Sequence, residues 1–373
     1  MKEKQAIYLD YNATAPIRSE VIKVMVDVME EGGNPSSVHS VGRKAKFRME
    51  DARSTIAGVV NCRSQMVIFT SGGTEANNMA ILGCGRTRLI TTNVEHDSIR
   101  SVANRFDGQV DVLNVNQDGL IDLDARGVLL SKGGEDTLIS ILYANNETGV
   151  IQDVNAIADI AHAAGALVHI DAIQALAKVP IDFRALGVDL MSVSAHKIGG
   201  PQGVGALIAL EKLPIRSIVL GGGQEVGRRG GTENIAGIAG FAKAASMTPE
   251  SLDKMMELEH WRDEIEEQIL AHAPGACFPG NKTRRLPNVS TIYMPGVTSE
   301  TQVMNFDLDN ICISSGSACS SGKVKSSHVI DAMCNDETIA KSTIRMSLGW
   351  DSVHEDVEAF IASWKKQYDR KNA

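Results

Sequence analysis

Five apolar runs in this chain stop abruptly in polar or glycine-rich residues: "MVIFTSGGTE", "RLITTNVEH", "TLISILYANNETG", "LVHIDAIQ" and "DLMSVSAHK". Short runs without polar alternation predict strands buried on both faces, and such strands belong to mostly parallel sheets covered by helices. Segments of helical spacing lie between them, including "TEANNMAILG" and "VNAIADIAHAAGA", where Val154, Ile157, Ile160 and Ala161 share one face. "GVGALIAL" adds a further strand. The fold class is therefore α/β. In open sheets of this kind ligands bind beyond the carboxyl ends of the strands, so the endings "TSGGTE", "EH", "NNETG", "DAIQ" and "SAHK" are expected to meet in one crevice.

Before these strands, "RSEVIKVMVDVMEEGG" predicts a helix with apolar residues from Val21 to Met29 turned inward and Gly32 as its C-cap. Near residue 250 the pattern changes. A long amphipathic helix, with Leu252, Met255, Trp261, Ile265 and Ile269 inward, precedes the strands "NVSTIYM" and "STIRMSL" and the closing helix "HEDVEAFIASWKKQYDR". This predicts a large α/β domain over 13–250 and a smaller α+β domain from 1–12 and 251–373, which carries a Ser/Gly-rich loop at about 314–328. The formal charge is −9 with both signs interspersed, which leaves no basic stripe for nucleic acid or an anionic membrane. The N-terminus has no apolar signal core and no apolar run is long enough to span a bilayer, so a cytoplasmic protein is expected. The six cysteines form no C-x-x-C pair, which argues against structural zinc.

The strand endings carry specific chemistry. Gly73 and Thr74 lie between a strand and a helix, where amide N–H groups and a hydroxyl suit a phosphate; a plain turn with Thr as N-cap is the alternative. Neither a P-loop nor a G-x-G-x-x-G spacing is present. Lys197 follows an apolar strand and precedes "IGGPQG", a place where an amine suits Schiff-base formation with a carbonyl cofactor, unless the side chain simply turns outward. Ser194 and His196 flank it as further phosphate donors. Asp171 ends another apolar strand, where a carboxylate can face a protonated pyridine nitrogen. His96 suits stacking and proton exchange, or capping. Arg345, inside an apolar run, needs a buried anion, either a substrate carboxylate or an internal partner. Cys319, in "SSGSACSSGKV", is a thiol on a Ser/Gly tether, the setting of an accessible, reactive cysteine.

Together these residues resemble the pyridoxal-phosphate cysteine desulfurases of the NifS/IscS type, within the class V aminotransferases. The motifs run nearly end to end: "YLDYNATAP", "NPSSVHSVG", "TSGGTEANN", "NNETGV", "DAIQ", "SAHKIGGPQGVGAL", "RRGGTEN", "SSGSAC" and "SLG". The resemblance implies the fold type I architecture with a mostly parallel seven-stranded sheet, and a homodimer with sites at the subunit interface. It implies pyridoxal 5'-phosphate held as a Schiff base by Lys197, with Asp171 at the pyridine nitrogen, Gln174 near the phenolic oxygen and His96 over the ring. Gly73, Thr74, Ser194 and His196 would hold the phosphate, joined by Thr232 from the other subunit, while Asn146 and Arg345 would grip the substrate carboxylate. It further implies conversion of L-cysteine to L-alanine, with sulfur passing to Cys319 as a persulfide and then to a protein acceptor for iron–sulfur clusters or other thio-cofactors. A selenocysteine lyase or an aminotransferase of the same fold is the alternative, and a non-catalytic sulfur-carrier subunit is a third. The chain departs from the family pattern at "KVKSSHV", where relatives more often have an acidic, proline-containing segment, and at Gln202, where Lys is frequent; both are read as lying outside the chemistry.

Overall fold

The predicted strands lie side by side in one sheet. A computed structural model describes residues 6–122, 133–316 and 326–372. Its central sheet has seven strands in the order β2-β8-β7-β6-β5-β3-β4. They are β2 (Val67–Thr70), β3 (Arg88–Thr92), β4 (Gln109–Leu113), β5 (Thr137–Leu142), β6 (Leu167–Asp171), β7 (Leu190–Ser194) and β8 (Gly205–Ala209). β1 (Ile7–Tyr8) pairs in parallel with β10 (Ile311–Cys312), and β9 (Val289–Tyr293) pairs antiparallel with β11 (Thr343–Ser347), both outside that sheet.

The absence of alternation in the sequence has a direct cause. Successive strand residues feed two different cores: Val67 and Phe69, Ile139 and Ile141, and Met191 and Val193 enter one, while Ile68, Leu138 and Leu190 enter another. Because period-2 side chains find apolar cover on either face, apolar residues run through successive positions without alternation. The helix α2 (Ser40–Val59) contributes Met49 and Ile56 to the first core, and α3 (Gly73–Gly83) contributes Met79 and Ile81 to the second. β8 departs from the rest. It runs antiparallel to both β2 and β7, so its glycine-rich entry, not its end, lies beside Ser194 and Thr70. β4 has no counterpart in the sequence reading because it is an edge strand whose side chains are mostly exposed or half-buried.

A third core gathers Leu9 with Met255, Leu258, Trp261, Ile265, Ile344, Phe360 and Trp364. Within the long helix Thr248–His272, Leu258 is fully buried whereas Leu252 is only half-buried, one turn away from the expected stripe. The helix α1 (Ser19–Glu31) also differs from expectation: it buries Val21 and Val28 but leaves Ile22, Val26 and Met29 exposed.

Inside the sheet, His169 of β6 is fully buried, its Nδ1 2.8 Å from Ser140 Oγ and its Nε2 2.9 Å from Ser192 Oγ. Burial pulls its pKa down to about 3 from an ordinary 6.5. The unfolded chain therefore binds this proton at a higher pH than the folded one, and stability must fall as pH drops from about 6.5 toward 3. His169→Gln should remove up to one proton from this linkage, reducing the slope of unfolding free energy by up to about 1.4 kcal/mol per pH unit. Denaturant melts of both proteins between pH 6 and 4 measure it, and equal slopes would contradict this assignment.

Candidate active site

The parallel direction of β2, β3, β5, β6 and β7 delivers their endings to one edge. There a cavity of about 430 Å³ is lined by Gly73, Thr74, His96, Asn146, Asp171, Gln174, His196, Lys197 and Arg345, with Asn12, Glu147, Gly316 and His328. Nine of the predicted residues thus meet in one space. Ser194 lies beside it: a Cβ built on Gly73 would come 3.5 Å from Ser194 Cβ. The same Cβ would collide with Ile173 at 2.1 Å, so only glycine permits this approach of α3 to the end of β6. Thr232 is not brought here. It lines a separate cleft with Thr70, Ser71, Arg229 and Asn234. Cys319 lies outside the described residues.

Asp171 is the most tightly held group of the site. Asn77 Nδ2 donates to its Oδ2 at 2.7 Å and the Ile173 amide donates to its Oδ1 at 3.0 Å. Burial raises its pKa, while His96, these two donors and Lys197 pull it back. A buried carboxylate of this kind is stabilised when a cation lies against it, which suits a protonated ring nitrogen. Ser194 Oγ is buried without a hydrogen-bond partner among the described residues, an orphan hydroxyl next to the N-terminus of α3. His196 Nδ1 lies 3.2 Å from Thr14 Oγ1, and burial, with Lys197 and Lys178 nearby, pushes its pKa down to about 4. It is a neutral imidazole at pH 7, able to donate from Nε2. Orphan hydroxyl, neutral imidazole, helix N-terminus and close-approach glycine together fit a phosphate ester, and with Lys197 and Asp171 they fit pyridoxal phosphate.

His96 takes the capping role that its sequence context allowed, and it also stands in the cavity wall. It N-caps the helix α4 (Asp97–Ala103), Nδ1 accepting from the Ser98 amide at 3.1 Å. Burial lowers its pKa, partly offset by Asp171. Arg345 pairs with Asp10 at 2.7 Å and donates to the Asn146 carbonyl at 3.3 Å, while its buried Nε has no partner among the described residues. The internal salt bridge is therefore present, and the guanidinium still faces the cavity.

Several contributors were missed in the sequence. Asn77 sits in "TSGGTEANN", where it reads as a helix-surface amide. Glu147, from "NNETGV", is buried and accepts from Ser327 Oγ at 2.5 Å; burial raises its pKa. Asn12 accepts Lys197 Nζ on its main-chain carbonyl at 2.7 Å. Lys178 follows Gln174 by four residues through a non-helical turn in which Ala177 takes φ 59°, and its Nζ donates to Gln174 Oε1. His328 corrects the sequence reading of "KVKSSHV": that segment does reach the site, since the His328 ring forms part of the cavity wall. Among the described residues no cluster of side chains could hold a metal ion, and no helix is long and apolar enough to cross a membrane.

Comparison with known proteins agrees with this geometry. The aminotransferase class-V family model matches residues 7–360. A cysteine desulfurase of Cereibacter sphaeroides is 39% identical over 355 residues, covering 92% of this chain and 91% of the relative. The cysteine desulfurase IscS of Dictyoglomus turgidum is 37% identical over 365 residues, covering 95% and 92%. Among solved structures, a NifS-like protein from Rickettsia africae superposes with a TM-score of 0.90 at 36% identity, covering 98% of this chain and all of that one. SspA, solved in complex with cysteine, gives 0.79 at 27% identity, covering 93% and 100%. The fold is the fold type I architecture of pyridoxal-phosphate enzymes. The chain belongs to the class V aminotransferase family, among its NifS- and IscS-like cysteine desulfurases.

Proposed function

We propose that this protein uses pyridoxal phosphate to convert L-cysteine to L-alanine and lodges the released sulfur on Cys319 as a persulfide. The observation that carries the reading is the single cavity in which Lys197 and Asp171 face Gly316 and His328, the chain on either side of the Cys319 segment. Gly316 and Ser327 also lie close together, because a Cβ on Gly316 would be 3.5 Å from Ser327 Cβ. Cys319 is three residues from Gly316, a span of roughly 10 Å at full extension.

Each residue then has a task. Gly73, Thr74, Ser194 and His196 hold the phosphate, with Thr232 supplied from a second copy. Lys197 would hold the cofactor as a Schiff base, with Asp171 at the ring nitrogen and Gln174 at the phenolic oxygen. When bound, pyridoxal phosphate would supply an electron sink beside the substrate Cα. His96 would lie over the ring with its proton on Nε2, since Nδ1 accepts from the Ser98 amide. Arg345 and Asn146 bind the substrate carboxylate. The Cys319 thiolate attacks the substrate sulfur, forming an S–S bond as the Cβ–S bond breaks; the electron pair remains with the substrate carbon, which is protonated to alanine. A protein thiol then takes the sulfur for iron–sulfur clusters or other thio-cofactors, in the cytoplasm. The domain division at 13–250 belongs to this reading, supported by Leu9 packing in one core with Leu258 and Trp261.

Cys319→Ala should lower alanine release from L-cysteine at least about a hundredfold while leaving the visible spectrum of the bound cofactor unchanged. Full alanine release in that variant would contradict the sulfur-acceptor role of Cys319. The homodimer is supported by exposed Ile22, Val26 and Met29 on α1 and Phe47 on α2, and by the position of Thr232 away from its own chain's cavity. Sedimentation should give about twice the 40.0 kDa chain mass, and a 40.0 kDa particle would contradict it.

A further inference from the structure

Behind Lys197 lies a second buried amine. Lys178 is 5% exposed, and among the described residues no carboxylate lies within ion-pairing distance of it. Its Nζ donates instead to two amide oxygens, Asn12 Oδ1 at 2.6 Å and Gln174 Oε1 at 2.7 Å. An unpaired buried amine is costly to keep. Burial, with Lys197 and Arg345 nearby, drives its pKa well below the usual range for lysine. An apolar side chain of the same length would fill the space without that cost, so the two hydrogen bonds deserve an explanation.

A lysine amine in this position donates, whereas a side-chain amide can turn either end toward a neighbour. By holding Oε1, Lys178 turns the Gln174 Nε2 group the other way. One of its N–H groups donates to the Asn12 carbonyl at 2.9 Å, and the second is left for the cavity that Gln174 lines. By holding Asn12 Oδ1, which also accepts from Asn288 Nδ2 at 3.2 Å, Lys178 leaves Asn12 Nδ2 to donate to the Asn146 carbonyl at 3.1 Å. The Asn12 main-chain carbonyl accepts from Gln174 and, at 2.7 Å, from Lys197 Nζ.

We propose that Lys178 is a positioning residue: its amine fixes the amide orientation of Gln174, so that an N–H and not a carbonyl oxygen faces the phenolic oxygen of pyridoxal phosphate. This rests on the cofactor placement proposed above. A donor there favours the ionised phenolic oxygen, whereas a carbonyl oxygen would oppose it.

The test is a pH titration of the visible absorption band of the holoenzyme, without substrate, in wild type, Lys178→Met, Lys178→Arg, Gln174→Ala and the Gln174→Ala/Lys178→Met double variant. Lys178→Met should raise the midpoint by about one pH unit, the effect of one charge-assisted hydrogen bond. Lys178→Arg, a donor with no acceptor, should stay near wild type. Gln174→Ala should shift as Lys178→Met does, and the double variant should shift no further. Should Lys178→Met fail to fold, Lys178→Gln is read in the same way, because its amide fills the site but can turn either end to Gln174. An unshifted midpoint, or shifts that add in the double variant, would overturn the proposal, the latter by showing that Lys178 acts through its charge and not through Gln174. A wild-type protein that develops no visible band with pyridoxal phosphate would overturn the cofactor placement as well, which separates the two failures.

Discussion

A mostly parallel sheet covered on both faces leaves little room for an uncompensated polar group within its strands, and much of this molecule follows from that constraint. Most polar side chains that enter the sheet region find partners there, although Thr91 Oγ1 and Glu95 Oε2 are buried with none among the described residues. His169 is held by a serine on each neighbouring strand. Glu95 accepts from Thr92 Oγ1 and the Leu142 amide through one oxygen, and burial pushes its pKa up to about 8, so it is kept protonated at neutral pH. The groups of the cavity sit at or just past the last residues of their strands, Asp171 closing β6 and Ser194 closing β7, where the chain turns and a cavity opens. Ser194 Oγ, without a partner among the described residues, and Asp171, raised by burial, are left uncompensated by that arrangement. In the function proposed above, one phosphate-bearing, ring-protonated cofactor would satisfy both.

The crevice also needs a second wall, and Asn12 joins it to the first. Its amide donates to Ser347 Oγ at 2.9 Å and its side chain meets Asn288, both beside the strands β9 and β11, while its carbonyl holds Lys197 and Gln174. Arg345 reaches the same place from β11 and is fixed by Asp10, two residues earlier in the chain. The amine proposed to hold the cofactor and the guanidinium proposed to hold the substrate therefore share one short reference segment, "LDYN". A shift of that segment would move both, which is a physical reason for so many hydrogen bonds to converge on one asparagine.

Much of this was legible in the sequence. Buried strands announce themselves by lacking alternation, and their polar terminations held eight of the predicted residues that line the cavity, Arg345 being the ninth, from inside an apolar run. What stayed hidden has particular causes. β4 is an edge strand without a continuous apolar run, and the reversed direction of β8 leaves no trace in a run that is apolar either way. The exposed stripe of α1 looks like any core-facing stripe, because periodicity reports amphipathicity and not what covers the face. Asn12, Asn77, Glu147 and Lys178 escaped because they hold side chains far off in sequence, 94 residues away for Asn77 to Asp171, 166 for Lys178 to Asn12 and 180 for Glu147 to Ser327. No local pattern encodes such a contact.

The central claim, that sulfur leaves L-cysteine for a thiol of this chain, is tested most directly by mass spectrometry of the intact holoenzyme after incubation with L-cysteine without reductant, followed by peptide mapping and alanine quantification. The account predicts added mass of one or more sulfur atoms located on Cys319, with alanine released in matching amount. Alanine formed with the sulfur on another cysteine, or bound cofactor with Cys319 unmodified, would contradict it.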